Sequence, residues 1–380
     1  MSRSWSEMRV KLSDLATPGV QKITPYQPGR PAEEVAAEFG ISKPVKLASN
    51  ENPLGPSAMA LKAMQAVHDL ARYPDGNGSL LKHKIAARHD LDIDCITLGN
   101  GSNDILELVA RAFVNPGDEV IFGQHAFAVY PLATLAVGGR PVETPALNWG
   151  NDLDAMVEAV TERSKVIFIA NPNNPTGTWL TKNELKRFLD EVPEHVIVVI
   201  DEAYAEYVTE EAFPGYPDCT QWLEGYPNLL VTRTFSKIFG LAGLRAGYGV
   251  SSPELADFLN RVRQPFNVNS LALTAAEAAL DDARHIQKSR EMNQAGMAYL
   301  IDACNKRGLG YIPSAGNFLA INFSRPAQDI FEAMMQQGII VRPVANYGMP
   351  DFLRVTVGSK EENSRLVEVL DRVMEKNAGM

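Results

Sequence analysis

Four short segments of this chain carry side chains whose types and placement suit chemistry on a bound organic ligand. The stretch 232–247, TRTFSKIFGLAGLRAG, puts Lys237 in a loop after an apolar run, with Thr234, Ser236 and Arg245 near it in sequence. An amine that is to form a Schiff base must be desolvated and kept partly neutral, and a lysine in such a loop meets the sequence half of that demand. Read alone, a Ser-Lys pair after a strand is more often a solvated surface charge. In VIVVIDEAYAEY, Asp201 ends the most apolar run of the chain. Ligands bind at that edge of an open parallel sheet. A carboxylate there can keep a pyridine nitrogen protonated and make its ring an electron sink, with Tyr204 three residues on to hydrogen-bond a phenolic oxygen. An N-cap Asp beside a packed Tyr is the plainer alternative.

The third segment, GNGSNDILELVARAF, is a glycine-containing turn into an amphipathic helix. Backbone N–H groups of Ser102, Asn103 and Asp104 at that helix start form an anion site, assisted by the helix dipole. The turn has half of a dinucleotide fingerprint, lacking its third glycine, and an ordinary strand-to-helix turn needs only one. In the fourth, IANPNNPTGTWL, two prolines and Gly177 fix the backbone and leave the amide of Asn174 to a ligand. Asn-Pro is also common in turns without function. No segment decides the matter alone. Together they fall in order at successive strand ends of one domain, which is the arrangement a single ligand site requires.

The elements that must position them follow from the hydrophobic pattern. From about residue 57 to 250, near-continuous apolar runs alternate with amphipathic helices: CITLG, EVIF, KVIFIA, VIVVI and LLVT. Such runs are strands covered on both faces, so the class is α/β with a largely parallel sheet. Ile105, Leu108, Val109 and Ala112 fall on one helical face, and Thr181 with Glu184 three residues on is a capping-box start. After Pro253 the grain changes to one long helical tract over 271–307, then strand-like FLAINF, GIIVR and FLRVTV with a helix at 327–337, the pattern of a smaller α+β domain. ITPYQPGRP, with three prolines, reads as an extended arm. The expected division is an N-terminal arm, 1–45, packing with the small domain, a large ligand-binding domain over 46–264, and a small C-terminal domain over 265–380, with a hinge near Pro265.

Composition narrows the function classes. The 380 residues are ordinary for a globular protein, and 36 Lys and Arg against 46 Asp and Glu leave a formal charge of −10. No basic block could track a nucleic acid, yet a few arginines can still make a local anion pocket. Cys95, Cys219 and Cys304 are far apart and form no Cys-x-x-Cys pair, so neither a zinc site nor a disulfide framework is expected. The N-terminus has no apolar signal core and no run is long enough to span a bilayer, so a cytoplasmic location is expected.

From PYQPGRP through KLASNENPLGP, RYPDGNG, GNGSND, NPNNPTG, DEAY and TFSKIFGLAGLRAGY to FLRVTVG, the chain closely resembles the fold-type I pyridoxal-phosphate aminotransferases, and within them the histidinol-phosphate aminotransferases. The resemblance covers almost the whole chain. It implies a large domain with a seven-stranded, mostly parallel sheet, a small α+β domain, and a homodimer with shared active sites. It further implies that Lys237 forms an imine with pyridoxal 5'-phosphate, that Asp201 meets the pyridine nitrogen, and that Asn174 and Tyr204 meet the phenolic oxygen. Ser102, Asn103, Thr234, Ser236 and Arg245 match the phosphate cradle, and Tyr73 matches a tyrosine reaching the neighbouring subunit's cofactor. Where many relatives stack a tyrosine on the ring, this chain has Phe127, which keeps the aromatic face and loses the hydroxyl. Arg354 and Arg342 match cations for the substrate's anionic end, and Tyr26 on the arm matches a residue closing over it.

The resemblance implies transfer of an amino group from histidinol phosphate to 2-oxoglutarate, in histidine biosynthesis. Phenylalanine or tyrosine as donor is the alternative. A non-catalytic regulator would need a DNA-binding domain for which too few residues precede the arm, and a dinucleotide oxidoreductase is weakened by the missing glycine.

Overall fold

The computed structural model describes residues 11–25, 27 and 29–378. Its main sheet has seven strands: β1 (Ile96–Gly99), β2 (Glu119–Gly123), β3 (Arg140–Thr144), β4 (Ser164–Ala170), β5 (Ile197–Asp201), β6 (Leu229–Thr234) and β7 (Gly247–Ser251). They lie in the order β1-β7-β6-β5-β4-β2-β3, with β7 antiparallel to both its neighbours and every other pairing parallel. The apolar runs are continuous because alternate residues feed two cores. Ile167, Ile169, Val198 and Ile200 pack on one face of the sheet. Val166, Phe168, Val199 and Leu230 pack on the other, against Ile105, Leu108 and Val109 of α1 (Ser102–Phe113). Helix α2 (Val129–Ala136) adds Tyr130 to that second core. Helix α3 (Lys182–Glu191) opens with the capping box anticipated at Thr181 and Glu184.

A second sheet has four antiparallel strands: β8 (Gly310–Ile312), β9 (Phe318–Asn322), β10 (Arg342–Pro343) and β11 (Phe352–Thr356), in the order β8-β9-β11-β10. The expected single strand GIIVR is divided. Ile339 and Ile340 pair in parallel with Val45 and Lys46, while Arg342 and Pro343 belong to the four-stranded sheet. The helical tract expected to be unbroken over 271–307 also divides, into α4 (Ser270–Asp281) and α5 (Ala283–Lys306). The cause is Asp282, whose side chain accepts from His285 N–H as the N-cap of α5. Buried Ala272, Ala276 and Leu280 of α4, and Ile286 at the start of α5, pack with the main sheet. Leu300, Ala303 and Cys304, near the other end of α5, pack instead with Leu319, Val355 and buried residues of α6 (Lys360–Ala378).

Topology brings the chemistry to one edge. The carboxyl ends of β4, β5 and β6 deliver Asn174, Asp201 and Lys237 in turn. Because β7 runs the other way, its first residue, Gly247, pairs with both Gly99 at the end of β1 and Thr234 at the end of β6. Arg245, two residues earlier, therefore arrives beside the start of α1. Among the described residues no helix is long and apolar enough to cross a membrane.

Candidate active site

A cavity of about 380 Å³ opens at this edge, between the main sheet and the four-stranded one. Its main-sheet side carries Ser102, Asn103, Phe127, Asn174, Asp201 and Tyr204. The loop after β6 adds Thr234, Ser236, Lys237 and Arg245, and the small sheet adds Arg342 and Arg354.

One end is built for an anion. Helix α1 has Gly101 as N-cap and no side-chain cap, so the first-turn N–H groups of Ser102 and Asn103 stay available at the positive end of the helix dipole. The Arg245 guanidinium donates to Ser236 Oγ at 3.2 Å and to the Ala242 carbonyl at 3.0 Å. Its backbone is left-handed, with φ of 59°, a conformation a non-glycine residue adopts at a cost. A Cβ on Gly101 would lie 2.5 Å from Arg245 Nη2, and one on Gly247 would lie 2.3 Å from Ser102 N. At Gly247 the clash is with backbone, and Gly101 has a left-handed φ of 82°, so glycine at both positions lets the arginine and the helix start converge.

The other end holds a carboxylate. Asp201 is buried at the cavity wall and accepts hydrogen bonds from Thr232 Oγ1 at 2.9 Å and Tyr130 Oη at 3.1 Å. Burial pushes its carboxyl up from the ordinary range, and the two hydroxyls together with the Lys237 charge oppose that shift. A cation placed against it would favour the ionised form. Between the two ends stands Lys237, whose Nζ donates to the Ser49 carbonyl at 3.2 Å and lies 5.4 Å from the Tyr204 ring centroid. Tyr204 Oη accepts from Asn50 Nδ2 at 2.9 Å, and burial holds its phenol in the protonated form.

The small-sheet wall is cationic. Arg342 and Arg354 are direct partners across β10 and β11. Like charges in that register repel, and an anion between them reverses the sign. Arg354 also donates to Asn174 Oδ1 and to the Ala48 carbonyl, and lies 5.4 Å over the Phe318 ring.

Two expected residues stand outside the cavity. The carboxylate of Asp104 is turned to Asn100 N and Asn267 Nδ2, and its own N–H bonds the Gly101 carbonyl. Tyr73 is 81% exposed and stacks on Phe266 at 4.6 Å. Tyr26 lies outside the described residues. Four residues at or against the cavity carried no role in the sequence reading: Asn50, Tyr130, Thr232 and Tyr347. Asn50 and Thr232 sit in segments that were recognised, and alternation along β6 would have put Thr232 on the same face as Thr234.

The ends of the cavity thus suit a flat ligand with an anionic group on one side and a protonated ring nitrogen on the other, with an amine between. A lysine after the sixth strand of such a sheet, under a small antiparallel domain, defines the fold-type I aminotransferase class. The family model described as aminotransferase class I and II matches residues 42–370. The chain is 56% identical over 363 residues to histidinol-phosphate aminotransferase 2 of Pseudomonas fluorescens, covering 95% of this chain and 97% of that one. It is 54% identical, with the same coverage, to histidinol-phosphate aminotransferase 1 of Nitrosococcus oceani. Among solved structures, histidinol-phosphate aminotransferase from Sinorhizobium meliloti in complex with pyridoxal 5'-phosphate superposes with a TM-score of 0.88 at 27% identity, covering 95% of this chain and 98% of that one. The chain belongs to the class I and II aminotransferases and, within them, to the histidinol-phosphate aminotransferases.

Proposed function

We propose that this chain transfers the amino group of histidinol phosphate to 2-oxoglutarate, giving imidazole acetol phosphate and glutamate, with pyridoxal 5'-phosphate as cofactor and histidine biosynthesis as its setting. The observation that carries the donor is the pair Arg342 and Arg354, side by side on one wall of the cavity. Two guanidiniums suit a phosphate monoester with nearly two charges better than a single carboxylate. Phenylalanine and tyrosine present only one anionic group and leave one arginine without that function. The names of the relatives support the same donor.

Bound pyridoxal phosphate supplies a protonated ring that draws electrons from the donor's Cα. Asp201, braced by Tyr130 and Thr232, would keep the proton on the ring nitrogen. Ser102 and Asn103 at the start of α1, with Thr234, Ser236 and Arg245, hold the phosphate. Phe127 would offer its face to the ring, and Asn174 and Tyr204 would offer hydrogen bonds to the phenolic oxygen. Lys237 would hold the cofactor through Nζ, and its amine, placed between the two ends of the cavity, would serve as the base and acid for the proton at the donor's Cα. The arm and the small sheet form the substrate-side domain, opposite the larger cofactor domain.

The active unit is a homodimer in the cytoplasm with shared active sites. Tyr73, exposed and stacked on Phe266, is the residue assigned to the partner's cofactor phosphate in this reading. Refolding Tyr73→Ala and Lys237→Ala chains together makes hybrids with one intact site, so the mixture should recover about one quarter of wild-type activity. Hybrids no better than separately refolded parents would remove Tyr73 from the site. The donor is tested by side-by-side turnover of histidinol phosphate, phenylalanine and tyrosine with 2-oxoglutarate. A kcat/KM for histidinol phosphate below that for either aromatic acid would overturn the assignment.

A further inference from the structure

Tyr347 lines the same cavity as the arginine pair; its side chain packs in the small-sheet core with Ile312, Ala320 and Phe352, while its backbone is also held from the main-sheet side. It ends a 3-10 turn, Ala345–Tyr347, directly after β10, and the left-handed Gly348 closes that turn. Its carbonyl accepts a hydrogen bond from His125 Nδ1 at 2.6 Å, which requires the proton on Nδ1. His125 is buried, two residues before Phe127, and its own carbonyl accepts from Asn173 Nδ2 at 3.1 Å. The His125 ring stacks on Trp149 at 5.3 Å, and Trp149 in turn meets the edge of Phe352 in β11 at 4.9 Å.

Trp149 holds this place under strain. It is the second of two left-handed residues, Asn148 and Trp149, at the tip of a tight hairpin, with φ of 50° and 67°. Asn and Gly are the usual occupants of such a turn, and a bulky aromatic there is an outlier. An outlier of this kind persists where surrounding contacts over-determine it, and here those contacts are His125 on one side and Phe352 on the other. His125 therefore ties together three segments that border the cavity: its own, leading to Phe127, that of Asn174, and that of Tyr347.

We infer that Tyr347 is a specificity-determining residue for the amino donor and that His125 is the positioning residue that sets its place. The inference rests on the aminotransferase reading and adds a residue to its donor site. Tyr347 lines the small-sheet side of the cavity, so the size of its side chain limits which donor side chains seat against Arg342 and Arg354. The width of that slot is set from the main sheet through His125 rather than by the small sheet alone.

The test uses the holoenzyme and the three donors already named. Tyr347→Ala and the bulkier Tyr347→Leu should each lower the ratio of kcat/KM for the preferred donor over the others by about tenfold, the scale on which pocket shape discriminates. The absorbance of the lysine-bound cofactor should be unchanged. Tyr347→Phe should keep the ratio within about threefold, because it keeps the ring. His125→Leu, which removes the donor, should lower the ratio in the same direction through KM more than kcat. His125→Asn, which puts an amide N–H near the Nδ1 position, should restore it. An unchanged ratio in both Tyr347→Ala and Tyr347→Leu, with the wild-type absorbance, would overturn the inference, as would equal behaviour of His125→Leu and His125→Asn. Wild-type preference for an aromatic acid would sink the histidinol phosphate reading instead, and the ratio would still be read against that donor.

Discussion

Asp201 and Glu202 are consecutive carboxylates at the end of one strand, both buried and both pushed up from the usual range by burial. Strand alternation sends them to opposite faces, and their partners differ in kind. Glu202 meets Arg233, whose Nε and Nη2 both donate to Oε2, and accepts the Cys219 N–H at 3.1 Å. Arg233 also pairs with Glu206 and Asp218. Asp201 receives two neutral hydroxyls and, among the described residues, forms no ion pair. A carboxylate that serves the fold is supplied with its countercharge by the fold. One oriented by neutral donors at a cavity wall is arranged for a cation that arrives with a ligand.

The contrast predicts different losses. Asp201→Ala should lower kcat by about a thousandfold while most of the cofactor stays bound, since phosphate contacts remain and the electron sink is weakened. Parallel loss of activity and cofactor, measured on one preparation, would make Asp201 a structural residue like its neighbour. Glu202→Gln should do the reverse. It strips a buried arginine of one partner and should cost about 3 kcal/mol of stability in urea titration, with kcat per folded holoenzyme close to wild type. A fall in kcat without loss of stability would erase the distinction.

The cluster around Arg233 also gives a pH signature. His89, bonded to Tyr248 Oη and Thr220 Oγ1, is pushed down to about 4 by burial and then by the Arg233 charge. Its unfolded value is near 6.5, so between the two the unfolded chain binds the extra proton. Stability is therefore full above about pH 6.5 and is lost as the pH falls toward 4. From pH 7 to pH 5 this one group should cost about 2 kcal/mol, and His89→Gln should flatten that part of the curve. An identical slope in the variant would assign the acid sensitivity elsewhere.

The smallest effect belongs to the donors on Asp201. Tyr130→Phe should reduce kcat about tenfold with KM nearly constant, the worth of one hydrogen bond to a charged group. Thr232→Val should behave similarly and Thr232→Ser should stay near wild type. Valine and serine giving the same rate would reduce Thr232 to a packing residue.

Much of this site is legible in the sequence because strand ends are. Asp201 ends an apolar run, Lys237 and Arg245 follow another, and Ser102 opens an amphipathic helix after a glycine turn. The donors that brace Asp201 are harder to read. Tyr130 sits in the helical VYPLATLA, where an aromatic residue reads as ordinary core, and it is core: its ring stacks on Phe168 at 4.7 Å. Only the fold brings its hydroxyl to a residue 71 positions away. Asn50 lies in the recognised KLASNENPLGP, yet nothing local says that its amide meets Tyr204. The divided GIIVR has a similar cause, since an apolar run does not state which of two sheets each half joins. Asp282 is different: Asp is a favoured N-cap residue, and periodicity on both sides of it hides the break.

Helix α5 contributes Ile286 to the core of the main sheet and Leu300, Ala303 and Cys304 to the core of the small one. Its 24 residues make a rod of about 36 Å with an apolar stripe divided between two owners. Loss of the small core would strip the far half of that rod, and the fraying would run back toward Ile286 and expose the main core as well. The shared rod couples the two sheets, and their melting is expected to be one event rather than two. The arginine wall and the lysine opposite it are then expected to be lost together, so cofactor release and loss of donor binding should share one midpoint in a urea titration.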